Sequence, residues 1–132
     1  MKERGSMRRI LSVFFPDFQR VLGQEKSAES ALVNLAQWAY RFSPIVAPDT
    51  RPADMEEDAR FFGINLDITG CERLFNGEEN IVKKLSESLS RFRLEHKIVI
   101  SPSLGASWAL SRYGKAKVRI ISRAALQAEV LL

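Results

Sequence analysis

Residues 61–77 read FFGINLDITGCERLFNG, and the fold follows from how this stretch is parsed. Phe62, Ile64, Leu66 and Ile68 recur at period two, with Phe61, Gly63, Asn65 and Asp67 between them. Successive strand side chains point to opposite faces, so this is a half-buried strand with one face of small or polar groups. Thr69-Gly70 supplies a turn. Asn76, with Glu79 following in capping-box spacing, predicts the start of a helix. Whether the polar strand face carries catalytic carboxylates is the functional question the stretch raises.

The flanking segments alternate in kind. Residues 10–15 (ILSVFF) read as a buried first strand ended by Pro16, and residues 17–26 as a polar connection. Ser27 offers an N-cap for an amphipathic helix over 27–42, in which Ala28, Ala31, Leu32, Leu35, Ala39 and Phe42 keep helical spacing. Ser43-Pro44 stops it. Residues 44–47 (PIVA) are extended, and 48–58 form an acid-bearing loop. Beyond the central strand, Ile81, Val82, Leu85, Leu89 and Phe92 mark a second helix. Glu78 and Glu79 sit at its positive end, Arg91 and Arg93 at its negative end. Residues 97–101 (KIVIS) give a strand, 104–113 a short helix closed by Gly114, and 117–121 a last strand. The order β, α, β, β, α, β, then α and β, predicts an α+β fold: a ferredoxin-like split βαβ arrangement with an antiparallel or mixed sheet and helices packed on one face. Residues 1–8 read as a basic tail and 9–122 as one domain. Residues 123–132 read as the truncated start of a following helix, so a longer parent protein is expected.

One domain is the natural reading of 132 residues with 45% hydrophobic and 27% charged content. Twenty Lys and Arg against sixteen Asp and Glu leave a net charge of +4. The basic groups cluster weakly, at Lys2/Arg4/Arg8/Arg9, at Arg91/Arg93/Lys97 and at Arg112/Lys115/Lys117/Arg119, which is compatible with phosphate attraction without demanding it. Cys71 is the single cysteine, excluding an internal disulfide or a CxxC site and fitting a reducing, cytoplasmic setting. The apolar run at 10–15 is far too short to span a membrane.

Residue chemistry alone exposes no active site. His96 reads as an exposed surface histidine. Cys71, with no second histidine available as a base, reads as structural. Glu56, Glu57 and Asp58 read as a solvated loop, and Trp38 and Trp108 as packing residues. Asp67, with Thr69 and Gly70, reads as turn chemistry, its carboxylate accepting from turn amides or a nearby arginine. The glycines are isolated and form no phosphate loop. No cofactor and no metal are expected.

LDITG at 66–70, followed by CERLFNGEE, resembles the signature of ImuB-type proteins, bacterial relatives of the Y-family translesion DNA polymerases. LAQWAYRFSPIVAPD at 35–49 and ISPSLGASWALSRYG at 100–114 resemble the flanking palm segments in the same order. The resemblance covers residues 10 to about 122. It implies a palm-like domain. Active Y-family members carry a metal-binding Asp in an I-D-M-D-A-F-F first strand. Laid on this chain, that Asp falls at Phe14, the second Asp at Pro16, and the aromatic that excludes the ribose 2′-OH at Gln19. The later Asp-Glu pair falls at Phe62 and Gly63, and a triphosphate-contacting Lys at Trp108.

Two-metal phosphoryl transfer needs carboxylates around Mg²⁺. The resemblance therefore implies a non-catalytic hub component of DNA-damage-induced mutagenesis, linked to an error-prone polymerase and a RecA-like partner. The sliding-clamp contact is expected outside this chain. Arg112, Lys115, Lys117 and Arg119 are the candidate residues for weak DNA contact. The resemblance implies that the fingers region is absent or was excised, because residues 17–26 alone fill its place. Two rival readings stay open: an active nucleotidyltransferase that holds metals through Asp17, Asp58 and Asp67, and a stand-alone ferredoxin-like interaction module.

Overall fold

The computed structural model describes residues 8–22, 27–50 and 62–122. Five strands form one sheet, in the order β2-β3-β1-β4-β5. They are β1 (Ile10–Phe14), β2 (Ile45–Asp49), β3 (Gly63–Asp67), β4 (Lys97–Ser101) and β5 (Val118–Ile120). The helices are α1 (Phe18–Leu22), α2 (Ala28–Ala39), α3 (Glu72–Phe75), α4 (Glu78–Arg91) and α5 (Leu104–Tyr113). β1 is central and antiparallel to both β3 and β4; β2 is antiparallel to β3, and β5 parallel to β4. This is the α+β, split βαβ arrangement the element order predicts, with a mixed sheet.

Alternation along the strands sorts the sheet into two unlike faces. Leu11, Val13, Phe15, Ile64, Leu66, Ile98 and Ile100 join Leu32, Ala36 and Ala39 of α2 and Ile81, Leu85 and Leu89 of α4 in the apolar core. Burying such side chains contributes roughly 1.5–3 kcal/mol each, and this layer holds the fold together. The opposite face presents Ser12, Phe14, Gly63, Asn65 and Ser101. Here the structure departs from the expectation of helices on one face. α5 packs on β1 and β4 and reaches the Ser12 side, so helices cover both faces. Its buried residues are Ser107, Ser111 and Arg112 rather than an apolar stripe, and the strand face it meets is mixed, with Ser12 and Ser101 beside buried Ile10 and Val99. Ser107 Oγ donates to the Ile10 carbonyl at 2.8 Å and lies 2.7 Å from Ser101 Oγ.

Local differences have local causes. Phe18 opens a short helix within the stretch read as a polar connection. Its ring lies between Phe15 and Phe62, with centroids at 5.4 and 5.5 Å. β2 runs on through Pro48, which an edge strand tolerates because no partner needs the missing N–H. Asn76 does not start α4. Its left-handed backbone (φ 62°) ends α3, and Gly77 is the N-cap of α4 without a side-chain cap bond. The readings placed on residues 1–7, on Glu56, Glu57, Asp58 and Phe61, and on 123–132 lie outside the described residues. Among the described residues no helix is long and apolar enough to cross a membrane.

Candidate functional site

The register of the two central strands brings the questioned positions together. Phe14 of β1 stands opposite Gly63 of β3, and the Phe15 amide donates to the Phe62 carbonyl at 2.9 Å. Phe62 itself turns into the core toward Phe18. Pro16 lies exposed beyond the strand end, and Gln19 is exposed on α1. On the polar face, Arg112 reaches back from α5 across this junction. Its guanidinium carbon lies 5.4 Å from the Phe14 ring centroid and 4.9 Å from that of Trp108, within the range of cation–π attraction. A methyl group on Gly63 would overlap both Arg112 Nη2 and the Val13 carbonyl oxygen. The guanidinium therefore lies directly over a position that needs to lack a side chain.

A closed circuit of polar contacts holds it there. Arg112 Nη1 donates to Ser12 Oγ at 2.9 Å, and Ser12 Oγ donates to Asn65 Oδ1 at 2.7 Å. Asn65 Nδ2 donates to Asp49 Oδ2 at 3.3 Å, and Asp49 Oδ2 lies 3.8 Å from Arg112 Nη2. Arg112 Nη1 also donates to Ser111 Oγ at 2.7 Å. The Arg112 and Asp49 side chains are 0% and 5% exposed. Burial of a charge is costly unless it is paired and hydrogen-bonded; Asp49 supplies the opposite charge beside Nη2, and Ser12 and Ser111 supply the hydrogen bonds at Nη1. Arg112 is thus corrected from a candidate DNA contact to an internal residue. Lys115 and Lys117 remain exposed, and Arg119 of β5 is half-buried.

A divalent metal does not fit the residues at this junction. Phe14 and Phe62 offer rings, Gly63 no side chain and Pro16 no donor atom. The one carboxylate in the circuit, Asp49, already faces a fixed positive charge. The rival metal set does not assemble either. Asp67 pairs with Ile10 at the far end of β1, whereas Asp17 lies beyond Phe14 at the near end; Asp58 is outside the described residues. Asp17 contacts Arg20 at 3.4 Å, and its hydrogen bond with Glu95 pushes the Glu95 carboxyl up. Among the described residues no group of three His, Cys, Asp or Glu could hold a metal ion.

Asp67 sits in its turn. Its Oδ1 accepts from Thr69 Oγ1 at 2.6 Å and from the Thr69 amide at 3.1 Å, and its Oδ2 accepts from Arg8 at 3.3 Å. Gly70 follows with φ 80°, a left-handed backbone that favours glycine. Partial burial pushes the Asp67 carboxyl up, but the Thr69 bonds and Arg8 outweigh it and hold the group below its usual range. Cys71 is buried and its thiol pushed up by that burial. His96 is corrected from a surface residue to a buried one, 3% exposed. Its Nδ1 lies 2.8 Å from the Leu94 carbonyl and its Nε2 2.7 Å from Ser86 Oγ. These contacts fit a neutral ring that donates to the carbonyl and accepts from the hydroxyl, and burial pushes its pKa down.

Ninety-nine residues of the chain, 75% of it, are 34% identical to Protein ImuB of Caulobacter vibrioides strain NA1000 / CB15N. The same figures hold for Protein ImuB of strain ATCC 19089 / CIP 103742 / CB 15. The chain is ImuB-like. It spans 19% of the length of these curated relatives. No protein-family model matches it, and no solved structure does.

The ImuB-like chain keeps its polar circuit in Ser12, Asp49, Asn65 and Ser111, residues that lie within the quoted stretches but were assigned no site role of their own. A signal was nonetheless present. Ser107 and Ser111 stand one helical turn apart, with Arg112 beside them, and Ser12 and Asn65 occupy alternating strand positions. Matching a polar helix stripe to a polar strand stripe would have placed α5 on that face.

Proposed function

We propose that this chain is a palm-like domain without polymerase activity, acting as a scaffold component in bacterial DNA-damage-induced mutagenesis and translesion synthesis. One observation carries the reading: where the family resemblance puts catalytic carboxylates, Phe14 faces Gly63 beneath the Arg112 guanidinium. No step of two-metal phosphoryl transfer can be built on those groups. The domain's contribution is then to present surfaces to other mutagenesis proteins, an error-prone polymerase and a RecA-like partner among them. A sliding-clamp contact is not assigned to these 132 residues. Lys115, Lys117 and Arg119 give weak, phosphate-driven DNA contact in the cytoplasm.

Two measurements test this. The full chain, titrated with Mg²⁺ and deoxynucleoside triphosphate, should show no specific NMR shifts around Phe14 and Phe62; such shifts overturn the inactive reading. Disruption of the coding sequence in its host should lower damage-induced mutation frequency, and an unchanged frequency overturns the mutagenesis role. For DNA contact, affinity should fall with salt and fall again in the K115E/K117E variant.

A further inference from the structure

The surroundings of the buried arginine suit a flat cation: ring faces lie beside the guanidinium, two hydroxyls accept from Nη1, and a carboxylate lies beside Nη2. Two aromatic rings, Phe14 and Trp108, lie within 5.4 and 4.9 Å of the guanidinium carbon. Two hydroxyls, Ser12 and Ser111, accept from Nη1 at 2.9 and 2.7 Å. A buried carboxylate, Asp49, lies 3.8 Å from Nη2 and is oriented by Asn65. The absence of a side chain at Gly63 leaves room for Nη2 to approach the sheet. The parts come from β1, β2, β3 and α5, so the pocket spans the sheet and the helix that covers it.

We propose that this is a guanidinium-binding site filled by the chain's own Arg112, and that this tethered monocation stands where a catalytic palm would hold divalent metal. The first half concerns the chain alone and goes beyond the mutagenesis role. The second half rests on the palm reading. The chemistry separates the two kinds of cation. A divalent metal wants several hard oxygen donors in a compact shell. This pocket offers one carboxylate, two hydroxyls and two ring faces, which suit a flat, weakly hydrated cation. An ammonium on a lysine stem carries the same charge but cannot fork between Ser12 and Asp49 while lying against both rings.

The experiment is chemical rescue of the full chain. Arg112→Ala removes the guanidinium and leaves its site. Guanidinium chloride at low, non-denaturing concentrations should raise the melting temperature of R112A above that in sodium chloride of equal ionic strength, and should not do so for the wild type. Binding to the folded state alone stabilises by mass action, so the rise should grow with concentration before denaturation sets in. Equal responses to the two salts in R112A overturn the proposal. If R112A does not fold, Arg112→Lys decides: the site predicts a loss of several degrees, and a lysine variant as stable as the wild type overturns it. For the metal half, magnesium chloride should act on wild type and R112A as ionic strength does. A magnesium-specific rise in either chain refutes the claim that the pocket selects a monocation, while leaving the cellular mutagenesis test unaffected.

Discussion

Replacing Arg9 by Ala should cost far more stability than replacing its neighbour Arg8. Arg9 leads into β1 and joins three parts of the fold. Its Nε and Nη2 donate to the two Glu78 carboxylate oxygens at 2.8 and 2.9 Å, and its Nη1 donates to the Ile121 carbonyl at 2.9 Å. Glu78 is the first residue of α4, where a carboxylate already favours the helix dipole. The paired side chains are 15% and 17% exposed, so solvent screens them only in part. Hydrogen bonds to charged groups contribute about 1.5–3 kcal/mol each before that screening. Breaking a buried pair by removing one partner costs about 3–5 kcal/mol, and the residual exposure brings the expectation to about 2–3 kcal/mol. At about 4 °C per kcal/mol for a chain of this size, the melting temperature should fall by roughly 8–12 °C. Arg8 makes one contact to Asp67 at 3.3 Å and is 62% exposed; its replacement should cost about 0–1 kcal/mol. Urea and thermal unfolding followed by circular dichroism measure both, and an Arg9→Ala/Glu78→Ala cycle isolates the coupling. If R9A and R8A lose similar stability, or the coupling is indistinguishable from zero, the clasp does not exist as described.

Three further outcomes follow from the buried and half-buried titrating groups. Asp67→Asn should lower stability at neutral pH by about 1 kcal/mol through weakened Thr69 and Arg8 contacts, and an unchanged melting temperature would sink that role. Because the folded pKa of Asp67 lies below its usual 3.8, the wild type should lose this contribution as pH falls below that value, and the Asn variant should not. Burial, reinforced by the Lys117 charge, pushes His96 below its usual 6.5 against the pull of the Leu94 carbonyl. The unfolded chain then binds the proton more readily, so stability should decline as pH falls from 6.5 toward the folded value. The decline should disappear in His96→Phe; an identical slope in both chains contradicts the assignment. Cys71 should react slowly with iodoacetamide in the native state and readily in urea, and rapid native labelling would contradict its burial.

The parts of the fold legible in the sequence were those written as apolar rhythm. The period-two run from Phe62 to Ile68 and the helical spacing from Ile81 to Leu89 each describe one buried face, and both faces meet in the core. What stayed hidden was polar burial. Ser107, Ser111 and Arg112 resemble a solvent face when α5 is read by itself, and only the serine-bearing side of β1 makes them internal. His96 misled for the same reason: charged neighbours in sequence, Glu95 and Lys97, do not reveal that Ser86 and Leu94 enclose its ring. Asn76 with Glu79 had the spacing of a helix start, but the left-handed backbone at Asn76 closes the preceding helix instead. Of the questioned positions, Phe14 and Gly63 could be aligned from the resemblance. The group that lies over them could not, since Arg112 is distant in sequence and its partner Asp49 follows a proline that reads as a loop.

The close approach of Arg112 to Gly63 also constrains which single substitutions the fold tolerates. A glutamate introduced at Gly63 collides with the guanidinium and with the Val13 backbone oxygen. An aspartate at Phe14 removes one of the two rings beside Arg112. Loss of Arg112 alone removes the positive charge beside buried Asp49, a change that costs stability. Single substitutions at Gly63, Phe14 or Arg112 are therefore each expected to cost stability of the fold. The two positions depend on each other: glycine at 63 makes room for the guanidinium, and a side chain added there should cost stability as long as Arg112 stays in place.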